Sequence, residues 1–138
     1  MTKQFVLAGD AIFTLDTPDK GHYTFRVTHL PANERWPESY FVKMLTGPDN
    51  TKNYSYVGKL DPETGAVATT AKSAKFEGTF PHRLLNRILA RVWADDHAAY
   101  TAHGYATHHA GFCGRCARVL TTPESVSRGY GPECIKIM

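Results

Sequence analysis

Residues 11–28 read AIFTLDTPDKGHYTFRVT, and this stretch decides the fold. In its second half Tyr23, Phe25 and Val27 alternate with His22, Thr24, Arg26 and Thr28, the period of two expected of a strand with one buried face. Residues 11–16 (AIFTLD) form a second apolar run, and TPDKG between the two supplies the Pro, Asp and Gly of a tight turn. The pair therefore predicts an antiparallel hairpin. Working outward, residues 40–45 (YFVKML) and 54–60 (YSYVGKL) flank TGPDNTK, and DPETG at 61–65 leads into AVATT. The series predicts an antiparallel meander of four or five strands. Residues 30–39 (LPANERWPES) carry two prolines, which disfavour regular structure and leave Trp36 on a loop.

From Pro81 the sequence PHRLLNRILARVWADDHAAYTAHG puts Leu84, Leu85, Ile88, Leu89, Val92 and Trp93 on one helical stripe. Pro81 suits a first turn and Gly104 a terminator, which predicts one long helix over 81–104. Arg83, Arg87 and Arg91 recur at i+4 on its polar side. Packing the apolar stripe on the sheet gives an α+β domain over residues 1–104, followed by a separate segment at 105–138.

The 138 residues, 42% hydrophobic and 21% charged, suit a single folded domain and exclude a disordered chain. The N-terminal run MTKQFVLAGDAIF reaches Asp10 too early for a secretory leader, and no stretch approaches the roughly 18 apolar residues of a membrane span. A cytoplasmic protein is expected. The net charge is +3, and the basic excess lies wholly in residues 75–138, where eight Lys and Arg meet five Asp and Glu. That asymmetry permits an anionic partner without demanding one.

All three cysteines fall between Cys113 and Cys134. An odd count without a leader argues against a disulfide framework. Cys113 and Cys116 have the knuckle spacing that grips one tetrahedral ion, Cys134 supplies a third thiolate, and zinc wants four ligands. His109, four residues before Cys113, is the expected fourth, with His108 and His103 in reserve. A redox pair would sit at a helix start in a βαβ setting, and a nucleophilic Cys would need an orienting partner that the sequence does not identify.

Within this segment Gly114 is expected to supply the open backbone angle of the knuckle. Residues 118–121 read as a short strand, and Thr121-x-x-Glu124 as a capping box opening a helical turn that stops at Gly129. Gly131-Pro132 then redirects the chain towards Cys134. Zinc binding in small peptides contributes about 10–16 kcal/mol, comparable to a whole domain's stability, so the segment is expected to lose its structure without metal.

The run CGRCARVLTTPESVSRGYGPEC resembles the C-terminal pattern of uncharacterised small phage- and prophage-encoded proteins: Cys-Gly-x-Cys-x-Arg-x-Leu-Thr-x-Pro-Glu-Ser, then Gly-x-Gly-Pro-x-Cys. The matching positions are Cys113, Gly114, Cys116, Arg118, Leu120, Thr121, Pro123, Glu124, Ser125, Gly129, Gly131, Pro132 and Cys134, with His109 where that pattern commonly has a histidine. Upstream, YFVKMLTGPDNTKNYSYVG is similar to the sheet region that often precedes the pattern. The resemblance implies a phage origin, a zinc site and a host-cell cytoplasmic setting, and supplies no activity.

Three functions follow as expectations. The leading one is a non-enzymatic, zinc-containing protein acting on nucleic acid or a nucleoprotein complex. Its cations would come from Arg83, Arg87, Arg91, Arg115, Arg118 and Arg128, and its stacking aromatics from Tyr40, Tyr54 and Tyr56 on the sheet. The second is an inhibitor of a host machine, such as a polymerase or a CRISPR-type defence nuclease, anchored through Trp36. The third is a metal-dependent hydrolase built from Asp95, Asp96, His97, His103, His108 and His109, although no residue set here meets the requirements of a catalytic site.

Overall fold

The apolar alternation of the first hairpin becomes a register in which Phe13 faces Phe25 across β1 (Asp10–Asp16) and β2 (His22–Leu30). The computed structural model describes residues 1–48, 53–109, 111–120 and 123–137. The sheet continues through β3 (Ser39–Leu45), β4 (Tyr54–Leu60) and the two-residue β5 (Val67–Ala68), and is closed on its other side by β6 (Ala106–His109). All pairs are antiparallel, in the order β5-β4-β3-β2-β1-β6. The fold is thus mixed α and β on an antiparallel sheet, with a cysteine cluster near the C-terminus. Residues 49–52, part of the expected TGPDNTK turn, lie outside the described residues.

One buried cluster runs through the molecule. The sheet contributes Phe13, Leu15, Phe25, Val27, Val42 and Val57, and the helix α2 (Phe80–Trp93) contributes Leu84, Leu85, Ile88, Leu89 and Val92. α2 also completes the short edge strand: Val67 donates its N–H to Asn86 Oδ1 at 2.7 Å, and its carbonyl meets Asn86 Nδ2 at 3.1 Å and His82 Nε2 at 2.8 Å. Two side chains thereby satisfy backbone groups that an edge would leave exposed for pairing.

The helix is shorter than the sequence predicts. It stops at Trp93, where Asp95 turns to a φ of +53°, and a separate turn α3 (Ala98–Thr101) follows before Gly104 at +86°. The N–H groups of Asp95 and Asp96 close back onto the carbonyls of Val92 and Arg91 at 3.1 and 2.9 Å. This left-handed C-terminal closure is usually made by glycine, and an aspartate makes it here.

The elements additional to the sequence reading include one helical turn and one strand that bear on the site. A single turn α1 (Lys3–Val6), capped by the Thr2 hydroxyl accepting from the Phe5 N–H at 3.1 Å, buries Phe5 and Val6. β6 pairs with β1 over four residues, so the segment expected to begin at 105 enters as a strand of the same sheet. No described helix is long and apolar enough to cross a membrane.

Candidate metal centre

The cysteine segment is built on a tight turn. Phe112 and Val119 form an isolated antiparallel bridge, Cys113 donates its N–H to the Arg118 carbonyl, and Ala117 donates to the Cys113 carbonyl, both at 2.8 Å. The expected strand at 118–121 is therefore one bridge long among the described residues; Thr121, with its capping box, lies outside them. The open backbone angle falls not on Gly114 but on Ala117, at a φ of +61°. Gly114 serves close approach instead, since a Cβ there would sit 2.6 Å from the Phe5 ring and 3.2 Å from Tyr130.

Two short helices complete the segment: α4 (Pro123–Arg128), ended by Gly129 at a φ of +82°, and α5 (Pro132–Lys136), which carries Cys134. Gly114 donates to the Gly129 carbonyl at 2.8 Å and accepts from the Asp10 N–H at 3.0 Å. The knuckle is thus stitched both to α4 and to the start of β1.

The ligand atoms of Cys113, Cys116 and Cys134 lie within 4.8 Å of one another, with Cys113 and Cys134 buried and Cys116 exposed. Tetrahedral thiolates on a zinc at about 2.3 Å are about 3.8 Å apart, a comparable span. Three cysteines so close can hold a metal ion.

The surroundings favour the thiolate of Cys113 and disfavour that of Cys116. Burial pushes the Cys113 thiol up, but hydrogen bonds from the backbone of Gly131, Cys116 and Arg115, with one from the Cys116 side chain, outweigh it and bring it down to about 7. Desolvation raises Cys116, and its hydrogen bonds with Cys134 and Cys113 and the Cys113 charge raise it further. Arg115 contributes twice, donating its N–H to Cys113 Sγ at 3.4 Å and Nη1 to Cys134 Sγ at 3.6 Å. Its guanidinium thus reaches Cys134 while the residue itself stays exposed.

The structure does not bring the expected histidines to the cysteines. His109 Nε2 meets the Val126 carbonyl, while Nδ1 accepts the Gly111 N–H at 3.1 Å. His108 Nε2 meets Asp16 Oδ2 at 2.6 Å, and His103 lines a cleft between α2 and α3. Pairing of β6 with β1 is the reason: Phe13 opposes His109 and Thr14 opposes His108, so consecutive histidines go to opposite faces before the chain reaches the knuckle.

The other expected site residues are dispersed. Arg83, Arg87 and Arg91 are exposed on α2, and Arg91 lies 3.9 Å from Asp96. Arg87 and Arg91 line a cleft of about 170 Å³ with Tyr100 and Tyr105. Arg118 borders the depression beside Cys116 and Cys134, and Arg128 Nη2 donates to Ser125 Oγ at 3.4 Å. Trp36 is 62% exposed. Tyr40 belongs to the buried core, whereas Tyr54 and Tyr56 are half-buried. His97 pairs with Tyr100 and with Asp95 at 3.4 Å, away from the cysteines.

Residues 106–138 match a family of unknown function (DUF6011). The match begins at Ala106, the first residue of β6, and so takes in the edge strand as well as the three cysteines. No curated protein and no solved structure matches the chain.

Proposed function

We propose that this is a small phage-type binding protein, without catalytic activity, whose C-terminal segment is closed by a structural zinc and which acts on nucleic acid or a nucleoprotein complex. The observation that carries the reading is the convergence of Cys113, Cys116 and Cys134 within 4.8 Å. Thiolates are soft donors that suit zinc, and a knuckle with N–H groups aimed at its sulfurs suits a structural site. Zinc would lock the segment 111–137 onto α1 and β1, and the fourth position would be filled by a donor other than His109. The apolar stripe of α2 shares one buried cluster with the sheet, which would leave the outward residues of β3 and β4 for a partner.

Exposed cations support the nucleic-acid part. Among the described residues Arg83 and Arg87 are in no ion pair, and Arg91 is held only at 3.9 Å. The test is a salt-titrated binding assay with single-stranded and duplex DNA and RNA, on protein of established zinc content. Binding that weakens as salt rises supports the reading. No binding at low salt removes nucleic acid as the partner.

One observation favours a second reading. Trp36, 62% exposed, stands on a turn in which Asn33 Oδ1 accepts the N–H groups of Arg35 and Trp36 at 2.8 and 2.9 Å. An exposed tryptophan on an ordered turn is a good anchor for a protein interface, and inhibition of a host machine would use it. Loss of host-protein capture on Trp36→Ala is the result that distinguishes this reading.

A further inference from the structure

The outward face of the central strands carries a constellation that the arginine stripe does not explain. Phe41 and Lys43 on β3 and Tyr56 and Lys59 on β4 line one open depression of about 610 Å³, bordered by Lys72 on the 3-10 helix Ala71–Phe76. Among the described residues no acidic side chain lines it. The ring centroids of Phe41 and Tyr56 are 6.1 Å apart, and Lys59 Nζ sits 5.6 Å from the Phe41 centroid. Thr70 Oγ1 is 3.5 Å from the Tyr56 hydroxyl, at the outer limit of a hydrogen bond.

A bulge creates this grouping. Val42 opposes Gly58 while Lys43 opposes Tyr56, so Val57 is an extra residue on β4. Tyr56 and Lys59 are three positions apart and would point to opposite faces of a regular strand; the inserted residue brings them to the same one. Val57 and Leu60 remain in the core.

The lysines are not edge protection. Charged residues guard sheets at their edges, but β3 and β4 are interior strands of the six. Among the described residues Lys43, Lys59 and Lys72 are in no ion pair. Three cations without acid partners around two half-exposed rings match a ligand that alternates anionic groups with flat apolar ones.

We propose that this face is where the protein holds single-stranded nucleic acid, with bases stacked on Phe41 and Tyr56 and phosphates on Lys43, Lys59 and Lys72. The inference rests on the nucleic-acid reading above and assigns it a site. Duplex is excluded as the preferred form because its bases are already stacked on one another and offer no free face to a ring.

The test uses the zinc-loaded full chain with fluorescent oligothymidylate and oligouridylate, with duplex and heparin as comparison ligands. The expected result is single-strand binding with log K falling against log salt with a slope of about −2, three phosphates at about −0.7 each. Lys43→Gln, Lys59→Gln and Lys72→Gln should each flatten that slope by about 0.7. Phe41→Leu and Tyr56→Leu keep apolar bulk while removing the π face, and each should weaken single-strand binding roughly 5- to 150-fold with heparin binding unchanged. Melting temperature and zinc content establish that each variant is folded.

Single-strand binding that survives these changes and falls instead in Arg87→Ala and Arg91→Ala overturns the platform while leaving the broader reading in place. Equal weakening for heparin and oligonucleotide in the ring variants, or tighter binding of duplex, also overturns it. Failure of the wild type to bind any nucleic acid at low salt overturns both readings together.

Discussion

The ring of Phe5 lies against the bare backbone of Gly114, so close that a Cβ at that glycine would come within 2.6 Å of ring carbons Cδ2 and Cε2. The same ring contacts Tyr130 and His109, at centroid distances of 5.8 and 6.0 Å, and would lie 3.1 Å from a Cβ at Gly129. A residue from the first helical turn is therefore the apolar peg on which the cysteine segment closes. The metal site and the N-terminus are coupled through packing as well as through the hydrogen bond from Asp10 to Gly114.

Gly114→Ala should destabilise the protein by about 1–3 kcal/mol, the usual penalty for inserting a methyl group where neighbours cannot move away. Because Phe5 is 4% exposed, Phe5→Ala should cost about 3–5 kcal/mol through the cavity it leaves. The double variant should cost less than the sum, since the alanine methyl then has room. Denaturant titration of the four proteins gives the coupling; strict additivity would show that the two residues do not interact.

Removing the metal should release the tail selectively. Chelation, or Cys113→Ser, is expected to abolish stoichiometric zinc and raise amide exchange across residues 111–137, while β2, β3 and β4 stay protected because their pairing is independent of the cysteines. Hydrogen exchange with native mass spectrometry measures both. A variant that keeps one zinc per chain and a protected tail refutes ligation by Cys113.

His109→Ala should retain zinc. Its ring nitrogens are engaged by Val126 and Gly111 backbone groups, so the change should cost about 1–2 kcal/mol of stability through lost hydrogen bonds while the metal stoichiometry stays at one. Loss of the metal from this variant would return His109 to the ligand set.

Ala117→Gly should stabilise the holoprotein by about 1 kcal/mol. A left-handed alanine carries a steric penalty of about 1–2 kcal/mol that glycine escapes, partly offset by the greater freedom of glycine in the unfolded chain. Thermal melts of zinc-loaded protein check this; an unchanged or lower melting temperature means that the φ of +61° is not a strained conformation.

Metal affinity should fall with pH. The folded state holds the Cys113 thiol at about 7, below its ordinary value. The folded structure therefore favours the thiolate; that stabilisation is complete above the ordinary thiol range and is lost as pH falls through about 7. Cys116 is raised, so it must shed a more tightly held proton to bind metal. Competition with a chromophoric chelator from about pH 8 to about pH 6 should show affinity dropping by more than one proton's worth. A flat profile would be incompatible with thiolate ligation.

The strand at 22–28 is legible because alternation records burial residue by residue, and the cysteine knuckle because its spacing is itself the chemistry. Long-range pairing leaves no such local mark. The run ATHH at 106–109 lacks a strong apolar pattern, and β1 makes it a strand by pairing with it. The expected helix to Gly104 stops at Trp93 because Asp95 takes up the left-handed closure more often supplied by glycine, a choice that its residue type permits but does not announce. Lys43 marks Phe41 as outward and Tyr40 as inward, a local signal that places Tyr40 in the core rather than among the expected stacking aromatics. Nothing in YSYVGKL reveals the bulge at Val57 that turns Tyr56 and Lys59 to the same face.

By itself, then, the sequence determined the antiparallel strands, the amphipathic helix and a three-thiolate site, since each depends on residue type at short spacing. The tertiary structure alone decided that His109 faces Phe5, the Val126 carbonyl and the Gly111 N–H rather than the cysteines, and that Phe41, Lys43, Tyr56 and Lys59 line one depression on the sheet. Both outcomes depend on strand register, which is set by the burial of whole faces against distant partners and not by the residues that end up displayed.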